Sequence, residues 1–217
     1  MAAPTRLYMS GTAAAFNVGK SVNANGLGSV WESGISLANT TKKLVLTRDG
    51  TLAMASNANV VGTGTNPNDI WYYSGMTDVL PSGKLLDGYF QGTALCRESA
   101  TNTNAFTQCA VYVVDSGGSV LATLIAAQTT GGTEYNNPSA NNRMFPRTWT
   151  SSPGIALSSY TTVNSTSRIV IEFGTRIETT RTSDTVYQYI GNDGGSDLPT
   201  GDGNSNSTTA CPRFEFS

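Results

Sequence analysis

Histidine is absent from this chain of 217 residues. A chain without histidine cannot form a Ser-His-Asp or Cys-His nucleophile system, nor a zinc site with histidine ligands. Cysteine is scarce as well, and Cys96, Cys109 and Cys211 are too far apart in sequence to resemble a zinc ribbon. Their odd number argues against a disulfide framework. We therefore expect three buried thiols and no cofactor.

Charged residues make up only 13% of the chain, about half of the usual share, and the formal net charge is −2. The longest basic run is Lys42-Lys43, so the electrostatic surface that nucleic acids require is missing. No apolar run reaches the roughly 18 residues of a membrane span, and the N-terminus lacks the pattern of a secretion signal. We expect a protein that is made and assembled in a cytoplasm and binds neither nucleic acid nor membrane.

Helical periodicity is nearly absent too, because Gly, Asn or Thr interrupts every candidate stretch. The sequence instead contains a succession of short apolar or alternating runs, separated by Gly, Asn, Ser and Pro. The clearest are residues 109–114 and 168–177. About nine or ten strands without intervening helices favour an all-β fold, a two-sheet antiparallel sandwich of the jelly-roll kind.

Two turn signals predict hairpins. Asp49-Gly50 stands between two apolar runs, and residues 115–119 separate residues 109–114 from 120–125. Because glycine accepts a positive φ at little cost, both sequences are compatible with tight turns. The second hairpin is apolar on both faces, which predicts a central position in a sheet.

The alternating runs predict the composition of the core. On an alternating strand Glu172 and Arg176 would point to solvent, and Glu215 would do so in the C-terminal run. The side chains on the opposite phase are expected to be buried together: Ile169, Ile171, Phe173, Val111, Val113, Leu124 and Phe214.

The composition predicts a single sandwich domain with an N-terminal extension. Residues 41–217 are expected to form the sandwich, whereas residues 1–40 combine a first strand with a Gly-, Ala- and Asn-rich arm that packs on the domain or extends from it. Residues 191–209 form a second soft stretch. Long loops in compact domains are often functional, so we expect the arm and this stretch to contact partners.

A carbohydrate-active enzyme on a sandwich fold needs only two carboxyl groups about 5–10 Å apart. The sequence offers several candidates, but no spacing pairs any two of them: Glu32, Asp49, Glu98, Glu134, Glu172, Glu178 and Glu215. We therefore assign no catalytic residue and expect a protein that is not an enzyme.

The acidic, glycine-rich tract 192–204 has the composition of a calcium loop. Asp193, Asp197 and Asp202 could supply oxygen ligands, but Arg213 stands where the helix-loop-helix pattern requires a glutamate. A non-standard cation site at the three aspartates is the weaker hypothesis. The favoured one is a turn-rich loop whose side chains cap their own backbone.

The aromatic run Trp71-Tyr72-Tyr73 has two interpretations. On a strand, Trp71 and Tyr73 share one face, where they could bind a sugar or anchor a protein partner. In the favoured alternative, Trp71 fills the core and the two tyrosines lie at its rim.

Five segments together resemble a widespread group of virion proteins of tailed bacteriophages. They keep the same order and spacing from one end of the chain to the other: Ala3-Pro4-Thr5-Arg6-Leu7-Tyr8, Arg143-Met144-Phe145-Pro146, residues 167–176, residues 194–199 and residues 212–216. The resemblance implies a virion component but does not distinguish capsid from tail.

Together with the composition, this resemblance favours a capsid decoration or cement protein, whose partners are the major capsid protein and further copies of itself in a homotrimer. Binding only to the finished shell would stabilise that shell by mass action. The expected contact residues are Arg6, Leu7, Tyr8, Met9, Trp71 and Tyr73. The alternatives are a tail, baseplate or fibre-associated protein that contacts host glycans, and a carbohydrate-active enzyme.

Overall fold

The computed structural model describes nine ranges of the chain: residues 5–18, 29–31, 41–60, 68–126, 132–137, 139–145, 154–178, 184–203 and 208–217. Within these ranges the chain forms strands and turns only, and no helix occurs that could cross a membrane.

The described ranges contain seventeen strands, more than the nine or ten expected. The excess arises because five strands have only two residues, too short for a periodic signal. The strands are β1 (Thr5–Ala13), β2 (Ser29–Trp31), β3 (Lys42–Val45), β4 (Ala55–Val60), β5 (Asn68–Met76), β6 (Leu85–Leu86), β7 (Tyr89–Glu98), β8 (Ala105–Val114), β9 (Val120–Ile125), β10 (Asn141–Phe145), β11 (Ile155–Ala156), β12 (Tyr160–Thr161), β13 (Arg168–Ile177), β14 (Thr185–Ile190), β15 (Ser196–Asp197), β16 (Ala210–Cys211) and β17 (Arg213–Phe216).

The strands build one large curled sheet whose two halves face each other, which confirms the all-β, sandwich-like fold. One half contains β4, β14, β7 and β17, with β10 and β11 on the opposite edge of β7. The other half contains β3, β5, β13, β8 and β9. Most pairs are antiparallel, but β2 and β3 pair with β5 in parallel, so the sandwich is mixed rather than wholly antiparallel.

Strand β1 belongs to both halves. Its first residues pair with β17, with Leu7 opposite Phe214, and its later residues pair with β3, with Met9 opposite Leu44. The pairing is irregular beyond Met9, where the strand bends. The N-terminal strand is therefore built into the domain. Apart from β2, residues 19–40 of the expected arm lie outside the described residues, and the boundary at residue 40 stays a prediction.

Aromatic rings fill the space between the two halves. The ring centroid of Phe173, on β13, lies 5.5 Å from that of Phe145 and 5.1 Å from that of Phe214, both edge to face. Phe90 extends the cluster at 6.1 Å from Phe214. Such pairs stabilise beyond the area they bury. All seven residues expected to be buried together belong to this core.

The two predicted hairpins have different outcomes. Residues 115–119 connect β8 to β9 as expected, with Gly118 at a φ of 85°. Strand β8 lies between β13 and β9 and nine of its ten residues are buried, but β9 lies at the end of the described strand order rather than in the middle of the sheet. The other prediction is wrong: the strands before and after Asp49-Gly50 pair with β1 and β14, not with each other.

Asp49 has a different role from a hairpin residue. Its carboxylate accepts hydrogen bonds from Ser10 Oγ at 2.7 Å, from the backbone N–H and hydroxyl of Thr51, and from Asn192 Nδ2. Partial burial acts to raise the pKa of Asp49, but these hydrogen bonds hold it well below its ordinary value. The turn thus ties the bend of β1 to residue 192, far along the chain.

Residues 191–203 are packed on the sandwich rather than free. Asp202 Oδ1 accepts the backbone N–H of Met144 at 2.8 Å, and the N–H of Gly203 donates to the carbonyl of Asn142 at 2.8 Å. The segment therefore covers the outer edge of β10, which would otherwise offer open pairing groups. Leu198 anchors it in a small apolar cluster with Leu95.

All three cysteines are buried free thiols, as the sequence predicted. Burial raises the pKa of Cys96 to about 12 and that of Cys109 well above its ordinary value. The thiols of Cys96 and Cys109 therefore stay protonated and unreactive at neutral pH.

We predict that Phe173→Ala lowers the free energy of unfolding by about 3–5 kcal/mol, because it empties the contact between the two halves of the sheet. Urea titration followed by circular dichroism measures this loss. Val163→Ala shortens a side chain that is 69% exposed and should change the free energy by less than about 0.5 kcal/mol. Equal effects of the two substitutions would contradict the proposed core.

Candidate functional site

Glu172 is the clearest departure from the sequence expectation. We expected a solvated carboxylate, but the side chain is fully buried. It lies on the face of β13 opposite the aromatic core, between Ser74 of β5 and Ala110 of β8 in the register. Among the described residues neither carboxyl oxygen has a hydrogen-bond partner, and burial raises the pKa of Glu172 to about 8.

Beside Glu172, the outer face of the sheet is contacted by a residue that belongs to no strand. Thr41 accepts a hydrogen bond from Ser74 Oγ at 2.9 Å and from the backbone N–H of Val18 at 2.8 Å. Val18 is itself buried in the core. The side chains of β13 therefore alternate between the two faces of the sheet, but both faces are buried. The prediction that Arg176 points to solvent is wrong as well: it is buried, 3.7 Å from Glu178.

Glu98 is a second buried carboxyl group, at the end of the sandwich where β7 ends and β8 begins. It accepts a hydrogen bond from the backbone N–H of Ala105 at 3.2 Å. Burial, together with the negative charges of Glu134 and Asp184, raises the pKa of Glu98 to about 7. The side chain is 1% exposed, so this acidic group faces the protein interior rather than a cleft.

Glu215 is buried as well, but its pKa is lowered rather than raised. Its carboxylate accepts hydrogen bonds from Arg213 at 2.8 Å, Arg6 at 2.9 Å and Gln91 at 2.6 Å. Burial acts to raise the pKa of Glu215, but hydrogen bonds from Arg213 and Gln91 and the charges of the two arginines lower it. This carboxylate stabilises the contact between β1 and β17, and it does not face solvent as predicted.

The three aspartates of the hypothetical cation site have separate partners. Asp193 accepts the backbone N–H of Met54 at 2.7 Å, whereas Asp202 accepts that of Met144. Asp197 accepts the hydroxyl of Tyr8 and pairs with Arg6 at 3.0 Å. The described ranges contain no group of three acidic or thiol side chains with metal-binding geometry. The geometry thus favours the turn-rich loop.

The residues expected to contact a partner are mostly in the interior. Leu7, Tyr8 and Met9 are buried in β1, and Arg6, about half exposed, is engaged with Asp197 and Glu215. Their placement does not support a partner contact. A strand that joins two halves of a sheet has to bury its side chains, and the short alternating pattern could not reveal this.

Tyr73 is also buried, with its ring 5.0 Å from that of Phe173. It therefore belongs to the core rather than to its rim or to an exposed platform. The side chain of Trp71 lies outside the described residues, so its contact role stays a prediction.

One end of the sandwich carries an apolar groove of about 570 Å³ that sequence reasoning missed. Its floor is formed by apolar side chains from several strands: Leu7, Leu44, Leu86, Leu124, Ile169 and Phe216. Leu46, Val79 and Leu85 stand on its walls with exposed fractions of 67%, 51% and 50%. A groove of this kind is a natural site for another apolar surface.

The wall of the groove is fixed by backbone hydrogen bonds. The segment after β5 donates from Thr77 to the carbonyl of Ile169 at 3.0 Å and from Leu80 to that of Ser167 at 2.8 Å. The N–H of Gly83 donates to the carbonyl of Thr162 at 2.8 Å. The groove is therefore part of the folded domain.

The remaining large apolar side chains that are exposed in the described ranges lie at the same end. Val120 pairs with Val114, which is opposite Arg168 at the start of β13. Val163 precedes that strand, and Tyr89 begins β7 beside the last residue of the chain. We call the surface formed by Leu46, Val79, Leu85, Tyr89, Val120 and Val163 the apolar end.

Only a faint signal in the sequence indicates this surface. Leu46 follows a strand and precedes a turn, and Val79 and Leu85 lie in a segment with Pro, Ser and Gly. Each is an apolar residue at a position that is ordinarily polar. Because the three come from distant parts of the chain, only the fold shows that they are neighbours.

No family model matches this sequence, and no curated protein sequence matches it. The solved structures with similarity include "Structure of infectious bursal disease virus Gt strain", with a TM-score of 0.37 and 10% identity over 81% of this chain and 39% of that one. The crystal structure of the VP2 subviral particle of the same virus gives 0.36 and 11% over 81% and 38%. The chain spans about two fifths of those chains, and the similarity is distant.

We predict that the protein is more stable at about pH 5.5 than at about pH 9. The folded state favours the neutral forms of Glu98 and Glu172, so their contribution is complete below the ordinary pKa of 4.5 and is lost as the pH rises through about 7 and about 8. The melting temperature should fall by about 4 °C or more between the two conditions.

Glu172→Gln tests the origin of this effect, because it removes the charge and keeps the shape. The variant should be more stable than the unsubstituted protein at about pH 9 and show a smaller difference between the two conditions. Asp87→Asn removes an exposed carboxylate and, measured in dilute protein, serves as the control. An unchanged pH dependence in Glu172→Gln would contradict the buried state of this residue.

Proposed function

We propose that this chain is a non-enzymatic structural protein of a tailed-phage virion, a decoration protein that binds the assembled capsid and stabilises it. Its partners are then the major capsid protein and further copies of itself, arranged as a homotrimer, and it is assembled on the particle in the host cytoplasm. The observation that carries the proposal is where the phage-like segments lie in the fold.

Those five segments, distant in sequence, contact one another. Arg6 from the first segment binds Asp197 from the fourth and Glu215 from the fifth. Phe145 from the second packs on Phe173 from the third, which packs on Phe214 from the fifth. The resemblance thus concerns one connected core rather than scattered short matches, which supports relationship through the fold.

The placement of the carboxyl groups supports a role outside catalysis. Glu98 and Glu172 are buried and Glu215 is held by two arginines, so none of the three is offered to a substrate. A glycosidase requires two carboxyl groups that converge on an open site. A second candidate function is glycan binding through exposed aromatic side chains. It is not supported by Tyr73, because that side chain is buried in the core.

The surface supports a binding role. Monomeric proteins rarely expose large contiguous apolar patches, and such patches mark contacts with other proteins. Here the exposed leucine and valine side chains of the described ranges gather at the apolar end, while charge is sparse over the whole chain. Affinity for a partner therefore comes from apolar contact and from many copies acting together.

The proposal is tested by adding the purified protein to phage shells that lack it. We expect saturable binding, hundreds of copies per particle by quantitative mass spectrometry, and a higher temperature of shell disruption, because the protein binds the intact shell better than its separated subunits. Bovine serum albumin at the same concentration is the control. A few copies per virion, confined to the tail by immunogold labelling, would contradict the proposal.

A further inference from the structure

The apolar end carries both a recess and exposed apolar side chains outside that recess. The groove supplies a concave surface of about 570 Å³, and Val120 and Val163, 40% and 69% exposed, stand outside it. A single chain therefore carries a recess and apolar side chains that could fill a recess. Closed assemblies of identical chains need this combination, because every copy has to offer both sides of each contact.

The charges at the rim of the groove are balanced in sign. Lys43 and Lys84 stand with Asp78 and Asp87, and Lys43 is paired with Asp78 at 3.0 Å. Lys84 and Asp87 are exposed and have no ion-pair partner in the described part of the chain. A strongly acidic or strongly basic partner would place a like charge against either the lysines or the aspartates of the rim. A second copy carries both a lysine and an aspartate, so each charge can meet its opposite.

We propose that copies of this chain associate through the apolar end, with Leu46, Val79 and Leu85 of one copy buried against the apolar side chains of the next and with Lys84 of one copy facing Asp87 of the other. This inference extends the proposed function by naming the surface through which copies associate. It rests on the proposed function only for the expected number of copies in the oligomer. The contact itself requires no capsid.

The opposite end of the sandwich provides a matched control. There β7 ends and β8 begins, and Glu98, Glu134 and Asp184 give the region an acidic character. Asn102 lies in the connection between these strands and is exposed. A substitution of Asn102 by aspartate adds the same charge as a substitution at the apolar end, but far from the groove.

The test is sedimentation velocity of the full chain over a range of concentrations. We expect the unsubstituted protein and Asn102→Asp to form the same oligomer, and Leu46→Asp and Val79→Asp to dissociate with at least a tenfold higher Kd. Both residues are at least half exposed, so the variants should keep the strand signal in circular dichroism and an unchanged melting temperature at low concentration.

Charge exchange tests the pairing across the contact. Lys84→Glu and Asp87→Lys should each weaken association, and the double variant should restore it, because the two charges again oppose each other between copies. A double variant as weak as the single ones would contradict the pairing of Lys84 with Asp87.

The outcomes separate this inference from the proposed function. A monomeric unsubstituted protein, or aspartate variants that associate normally, would overturn the self-association surface. A monomer that decorates shells and loses that binding in Leu46→Asp would overturn it too and would assign the apolar end to the shell protein. An oligomer that dissociates as expected but fails to bind shells would support the surface and contradict the decoration role.

Discussion

The pairing of β1 with β17 on one side and β3 on the other holds the two halves of the sheet together. Once this strand is placed, the ring centroids of Phe145, Phe173 and Phe214 are brought within 6.5 Å of one another. The strand also carries Arg6 to Glu215. Both the apolar core and the buried ion pairs therefore depend on the backbone hydrogen bonds of the N-terminal strand.

This arrangement places acidic side chains in very different surroundings. Glu215 is ionised because two arginines accompany it into the interior, whereas Glu98 and Glu172 form no ion pair within the part of the chain that the structure describes and have raised pKa values. A chain with so few charged residues has few lysine and arginine side chains that could pair with buried carboxylates. Unpaired buried carboxyl groups are costly when they ionise, and they couple the stability of the sandwich to pH.

The two ends of the sandwich differ in character. One end gathers acidic groups around the start of β8, and the other gathers exposed leucine, valine and tyrosine side chains around a groove. A folded chain with an apolar end and a weakly charged surface is suited to association at high local concentration, where many small contacts act together. This property agrees with a role in a large assembly and needs no chemistry at a buried carboxyl group.

The sequence by itself determined the all-β class, the buried thiols and the seven core residues, because a period of two along a strand fixes which side chains share a face. It could not determine whether the second face is open or covered: Glu172 has the spacing of a solvated residue and is buried beside Ser74, whose hydroxyl donates to Thr41 outside the strands. Nor could it reveal that Asp49-Gly50 joins β1 to Asn192 rather than closing a hairpin. The groove, too, was decided by tertiary structure alone, since Leu46, Val79 and Leu85 become neighbours only through contacts between strands that are distant along the chain.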